Sequence, residues 1–158
     1  MENNQKASSV GEEKRSPAVE FATELYKNIT MGSDAIIHLL PKVKDNGMKT
    51  SMTASMCYYE KAAGKVKDFL NAHGAEAKEE PLMTRMASRM GIAMNTAMDA
   101  TSSHVAQMLI EGSTMAITES TRLCHRFDGQ EGCAEMLTVA RELAEFEQSH
   151  IEKLKSFL

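Results

Sequence analysis

The sequence predicts an all-α fold, an antiparallel up-down-up-down four-helix bundle. Three observations carry that expectation. Apolar residues recur at three- and four-residue steps through long segments. The 158 residues hold only three prolines and no tryptophan. Helix stop and start signals divide these segments, at Ser16-Pro17, Asp45-Asn46-Gly47, His73-Gly74 and Asp128 to Gly132. Short connections between such segments favour antiparallel neighbours.

Residues 1–15 are polar, with almost no apolar content, and cannot bury enough surface to offset ordering; a disordered tail is expected there. Residues 16–158 form the bundle. Ser16 suits the N-cap of the first helix and Pro17 its first turn. Phe21, Leu25, Ile29, Ile36, Leu39, Leu40 and Val43 form its apolar stripe, and Pro41 bends or ends it. The second helix is expected from about Lys49 to Ala72, with Met52, Met56, Tyr59, Ala63, Val66 and Leu70 facing inward. The third is expected to be long, from about Pro81 to Phe127, after a short loop. Met83, Met86, Met90, Met94 and Met98 line its first half. The fourth runs from about Cys133 to Phe157.

Composition excludes several classes of function. The net charge of −4 comes without a basic stripe, so no nucleic-acid partner is expected. No run approaches the roughly 18 apolar residues of a membrane span. Met1 to Val10 lack the apolar stretch of a secretion signal, so the expected location is cytoplasmic. Cys57, Cys124 and Cys133 have no metal-ligand spacing; free thiols are expected, two of them in the core. No glycine loop for phosphate and no cysteine nucleophile with a neighbouring histidine is found.

The two halves resemble each other. Met31-Gly32-Ser33 aligns with Glu111-Gly112-Ser113, 80 residues on, and Lys65 to Leu70 with Lys153 to Leu158, 88 residues on. The change of spacing falls in the turn at Asp128 to Gly132, where insertion is tolerated.

Glu147 interrupts the heptad stripe Leu137, Ala140, Ala144, Ile151, Leu154, Leu158. A carboxylate at a core position is costly unless paired or bound to a metal. His150 lies one turn later on the same face. Glu111 falls on the stripe His104, Met108, Glu111, Met115 of the third helix, expected to face inward. Glu-x-x-His is the inward ligand pair of carboxylate-bridged dimetal bundles.

On these residues, from about Pro17 to Leu158, the chain resembles the ferritin-like superfamily, four-helix bundles of the rubrerythrin and bacterioferritin type. The resemblance implies iron, zinc or manganese ligands at Glu111, Glu147 and His150. It also implies that the site is degenerate. The helix-one ligand position is Met31, and the helix-two pair falls on Tyr59 and Ala62, or on Glu60 and Ala63 one residue out of register. Dimetal redox chemistry requires both halves. The expected function is therefore a ferritin-like bundle without dimetal redox activity, not an enzyme, acting as a dimer that binds a protein partner or a small ligand between its helices. The alternative is a metal-binding protein using Glu111, Glu147 and His150, with Glu60 as a weaker candidate. A second alternative is Cu(I) handling through the ladders Met48-Met52-Met56 and Met86 to Met98, since thioethers suit soft ions. His38 and His104 are expected to be satisfied core or boundary residues, and Asp34 and Glu119 solvated or structural ones.

Overall fold

The computed structural model describes residues 15–78 and 101–158. Among them are four α-helices and no strand. Helix α1 spans Pro17–Leu39 and continues into a 3-10 turn at Leu40–Lys42. Helix α2 spans Asn46–Ala72, α3 Ser102–Phe127, and α4 Ala134–Leu154 with a closing 3-10 turn at Lys155–Phe157. No helix among the described residues is long and apolar enough to cross a membrane.

Local chemistry sets the helix starts. Ser16 accepts from the Val19 amide, and Pro17 opens α1 at a position that needs no N–H. Asp45 accepts from the Met48 amide at 2.7 Å, so α2 begins ahead of the expected Lys49. Thr101 accepts from the His104 amide in an extended conformation and caps α3. This corrects the expected continuous helix from Pro81: a helix cannot run through an extended cap residue, and the Thr101-Ser102-Ser103 cluster prefers the cap to the interior. Met83 to Met98 and the tail residues 1–14 lie outside the described residues.

The buried faces meet in one core. Phe21, Leu25, Ile29 and Ile36 come from α1; Met48, Met52, Val66 and Leu70 from α2; Leu123 and Phe127 from α3; Met136, Leu143 and Leu154 from α4. Met56 and Ala63 sit at the edge of the α2 face, which turns Met48, Ala62 and Phe69 inward instead. Leu158 ends the α4 stripe exposed. Of the three thiols only Cys133 is buried; Cys124 is intermediate and Cys57 exposed.

Contacts give the helix directions. Phe21 stacks on Phe127 with ring centroids 4.8 Å apart, and Arg126 pairs with Glu20, so the start of α1 meets the end of α3. Gly47 lies beside Phe157, and Lys65 pairs with Glu142, so α2 and α4 are antiparallel. Hairpins join α1 to α2 and α3 to α4. Helices α2 and α3 consequently run in the same direction. The expected up-down-up-down order is thereby corrected to up-down-down-up. The reason is length: the connection from His73 to Thr101 is longer than the short loop expected, so α2 and α3 need not be antiparallel neighbours.

Candidate functional site

The middle of the bundle holds polar side chains where the core would otherwise be apolar. Glu147 and His150 of α4 are 1% and 3% exposed, both on the inward face with Leu143 and Leu154. From α2, Tyr59 donates its phenol hydrogen to Glu147 Oε1 at 2.8 Å. From α3, Ser113 Oγ lies 3.4 Å from His150 Nδ1. From α1, the Asn28 amide nitrogen donates to the Ala116 carbonyl at 3.1 Å and to Ser120 Oγ at 3.0 Å. All four helices contribute.

Each residue reaches this place for a local reason. Asn28 lies two turns after Phe21 on the apolar stripe of α1, so it must point inward. Gly32 lets the Tyr59 ring approach the α1 backbone; a Cβ there would sit 2.5 Å from the ring. Phe146 stacks on Tyr58 at 3.7 Å, meets Tyr59 edge-on at 5.5 Å, and lies 5.7 Å from the His150 ring. These rings wall the site on the α2 and α4 side.

Burial, and then the Glu147 charge beside it, hold the Tyr59 phenol well above the ordinary tyrosine range. Tyr59 therefore keeps its proton and remains a donor. Tyr58, half-buried, is pushed up to about 12 by burial and by Glu142, Glu147 and Glu145.

Among the described residues three buried polar atoms have no hydrogen-bond partner: Asn28 Oδ1, Glu147 Oε2 and His150 Nε2. Their residues line one internal cavity of about 40 Å³, together with Met31, Gly32, Tyr59, Gly112, Ser113 and Met115 among others. Unpartnered buried polar atoms cost about 1–3 kcal/mol each. Three of them in residues bordering one cavity make its lining polar.

The cavity has a structural origin in the repeat. Tyr59 and Glu147 occupy positions that the repeat aligns, as do Gly32 and Gly112. The Tyr59 ring fills the space above Gly32, whereas Glu147 is shorter and a Cβ on Gly112 would meet nothing within 4 Å. Gly112 accordingly lines the cavity.

Other expected ligands are not brought here. Glu111 is exposed and accepts from Gln107; the inward face of α3 carries Val105, Leu109, Ser113, Ala116 and Ser120 instead. The expected stripe through His104, Glu111 and Met115 is one position off, and Met115 is 53% exposed. Glu60 is exposed, because the inward register of α2 falls on Tyr59 and Ala62. No group of three His, Cys, Asp or Glu residues that could hold a metal is formed among the described residues. A dimetal centre thus does not fit: Met31, Tyr59 and Ala62 stand at one half, and Glu111 is turned away from the other. Met48 and Met52 are fully buried in the apolar core, so this ladder packs instead of presenting thioethers to an ion. His38 is half-buried near Lys42, Glu119 pairs with Arg122, and Asp34 is buried, the structural one of the two expected alternatives.

Asn28 and Ser113 escape sequence reasoning although a signal existed. Both are small polar residues at inward positions of otherwise apolar stripes.

Compared with known proteins, the chain matches no family model, no curated protein and no solved structure.

Proposed function

We propose that the chain is a ferritin-like helical bundle without dimetal redox chemistry that binds a small ligand between its helices. One observation carries this reading: Asn28, Glu147 and His150, each buried and each with a polar atom lacking a partner, line the same internal cavity. The helix order supports the ferritin-like part. Parallel α2 and α3 demand one long crossover, the connection that distinguishes ferritin-like bundles from the simplest up-down ones. The inward Glu147 and His150 stand as a retained Glu-x-x-His pair, while Glu111 and the α2 positions no longer complete a dinuclear set.

Native mass spectrometry of protein purified without chelator tests the reading. The expected result is a small bound mass on the parent chain that is absent from a folded Glu147→Gln variant. Equal masses, both matching the bare chain under ligand-supplemented conditions, would sink it.

A second reading is favoured by the proximity of Glu147 Oε2 to His150 Nδ1, 3.8 Å. One zinc, iron or manganese ion would take Glu147, His150 and the Asn28 carbonyl oxygen as a mixed oxygen and nitrogen set. Elemental analysis separates the two. The homodimer expected from the methionine face of the third helix belongs to the proposal as well; most of that face lies outside the described residues, and sedimentation velocity tests it.

A further inference from the structure

The unpartnered atoms of the cavity specify a class of ligand, on the premise that the interior is a binding site. Both Asn28 amide hydrogens are used, one on a backbone carbonyl that can only accept. The amide orientation is therefore settled, and Oδ1 is the spare acceptor. Glu147 Oε1 is occupied by Tyr59, and Oε2 is the second spare acceptor. His150 does not satisfy it, because 3.8 Å exceeds hydrogen-bond distance. The cavity so presents two oxygen acceptors, one on a carboxylate, beside an imidazole nitrogen. Their complement is a compact, positively charged group with several N–H donors.

At about 40 Å³ the cavity admits such a group but not an organic molecule, which needs several hundred Å³. A larger space borders it. A groove of about 480 Å³ between α1 and α3 shares Asn28, Met31 and Met115 with the cavity. This volume lies within the usual range for ligand pockets. Met31 and Met115 are unbranched and adaptable, so they can part for a chain and pack along it. The remaining lining includes Glu24 and Glu119, while Lys27 already pairs with Glu24 at 3.4 Å. An anionic amphiphile would meet carboxylates there.

The geometry points to a primary alkylamine as the ligand: its ammonium head sits in the cavity and donates to Asn28 Oδ1 and Glu147 Oε2, and its alkyl chain lies in the α1–α3 groove against Met31 and Met115. Glu147 supplies the charge recognition, and the two methionines supply tolerance of chain length.

Calorimetric titration of the full chain with n-hexylamine, n-hexanol, hexanoate and cobalt(II), each alone, tests the assignment. Hexylamine is expected to bind one per chain, with the alcohol and the carboxylate roughly tenfold weaker or worse, the margin of a charge-assisted contact. Glu147→Gln keeps an acceptor for Tyr59 but places an N–H donor at the Oε2 position, and should weaken hexylamine by roughly tenfold or more. Met115→Trp, at an exposed position, should do the same by filling the groove without disturbing the core. Hexanol binding as tightly as hexylamine, or both variants binding like the parent, would overturn the alkylamine. Cobalt binding at one per chain without amine binding would overturn the ligand class and leave an interior binding site. Binding of neither would overturn the interior-binding reading itself.

Discussion

Tyr59 of α2 and Glu147 of α4 share a hydrogen bond of 2.8 Å at the centre of the bundle, and they occupy aligned positions of the two sequence halves. The carboxylate is 1% exposed and the tyrosine 3%. Among the described residues the phenol is the donor that reaches Glu147 Oε1, and it anchors a carboxylate that lines the cavity. Tyr59→Phe removes that donor and leaves a buried acceptor. A loss of about 1–3 kcal/mol is expected in urea unfolding, with an unchanged denaturant slope. A neutral result would mean that Glu147 does not depend on Tyr59.

The two aligned glycines should respond oppositely to the same substitution. Gly32→Ala drives a methyl group into the Tyr59 ring, at 2.5 Å from its nearest carbon, and should destabilise by about 1–3 kcal/mol. Gly112→Ala meets open space and gains helix propensity, so it should stabilise by about 0.5–1 kcal/mol. Thermal unfolding of the pair reads both signs in one experiment; equal signs would contradict the described packing.

Alkaline pH should weaken the fold through Tyr58 and Tyr59. Both phenols have raised folded-state values, Tyr58 to about 12, chiefly through burial. The folded state therefore binds these protons more tightly than the unfolded chain, whose tyrosines titrate near 10. Their contribution is complete below about pH 10 and is lost as the pH rises toward about 12. Chemical denaturation at stepped pH should show falling stability across that window, with a shallower fall in Tyr59→Phe. A flat profile would contradict the raised values.

Removing the inward carboxylate should relieve an electrostatic cost. In a Tyr59→Phe background, where no buried hydroxyl is left without its acceptor, Glu147→Met keeps volume while deleting the buried carboxylate, and should raise stability over Tyr59→Phe alone by about 1 kcal/mol or more where no ligand is present, as apolar replacements of buried charges often do. Added ligand should stabilise the parent and leave this variant unmoved. A double variant less stable than Tyr59→Phe alone would mean that the carboxylate is a structural necessity.

Much of the fold was legible because the helical signals are strong. The Ser16-Pro17 start and the stripe from Phe21 to Leu39 need only local chemistry and period. The start of α3 was missed because the methionine periodicity runs on through the residues before Thr101, and periodicity does not see a cap. That error also hid the helix order, since a long third helix leaves only a short loop before it. At the site, Glu147 and His150 were legible as polar residues breaking an apolar stripe. Glu111 was misplaced because α3 has two candidate stripes one residue apart, and small residues such as Ser113 and Ala116 weigh little in a hydrophobic pattern. Asn28 was passed over although, as a polar residue on the apolar stripe of α1, it carried a signal of its own; what it bonds to was not legible. Its role depends on Ala116 and Ser120 of another helix, and no local pattern reports such a partner.

The central claim is that the interior holds a single polar guest, in place of two metals. Elemental analysis of chelator-free protein, loaded with iron(II) under anaerobic conditions and desalted, tests it most directly. The account predicts at most one metal ion per chain, lost entirely in a Glu147→Ala, His150→Ala variant. Two irons per chain, retained on desalting, would contradict it.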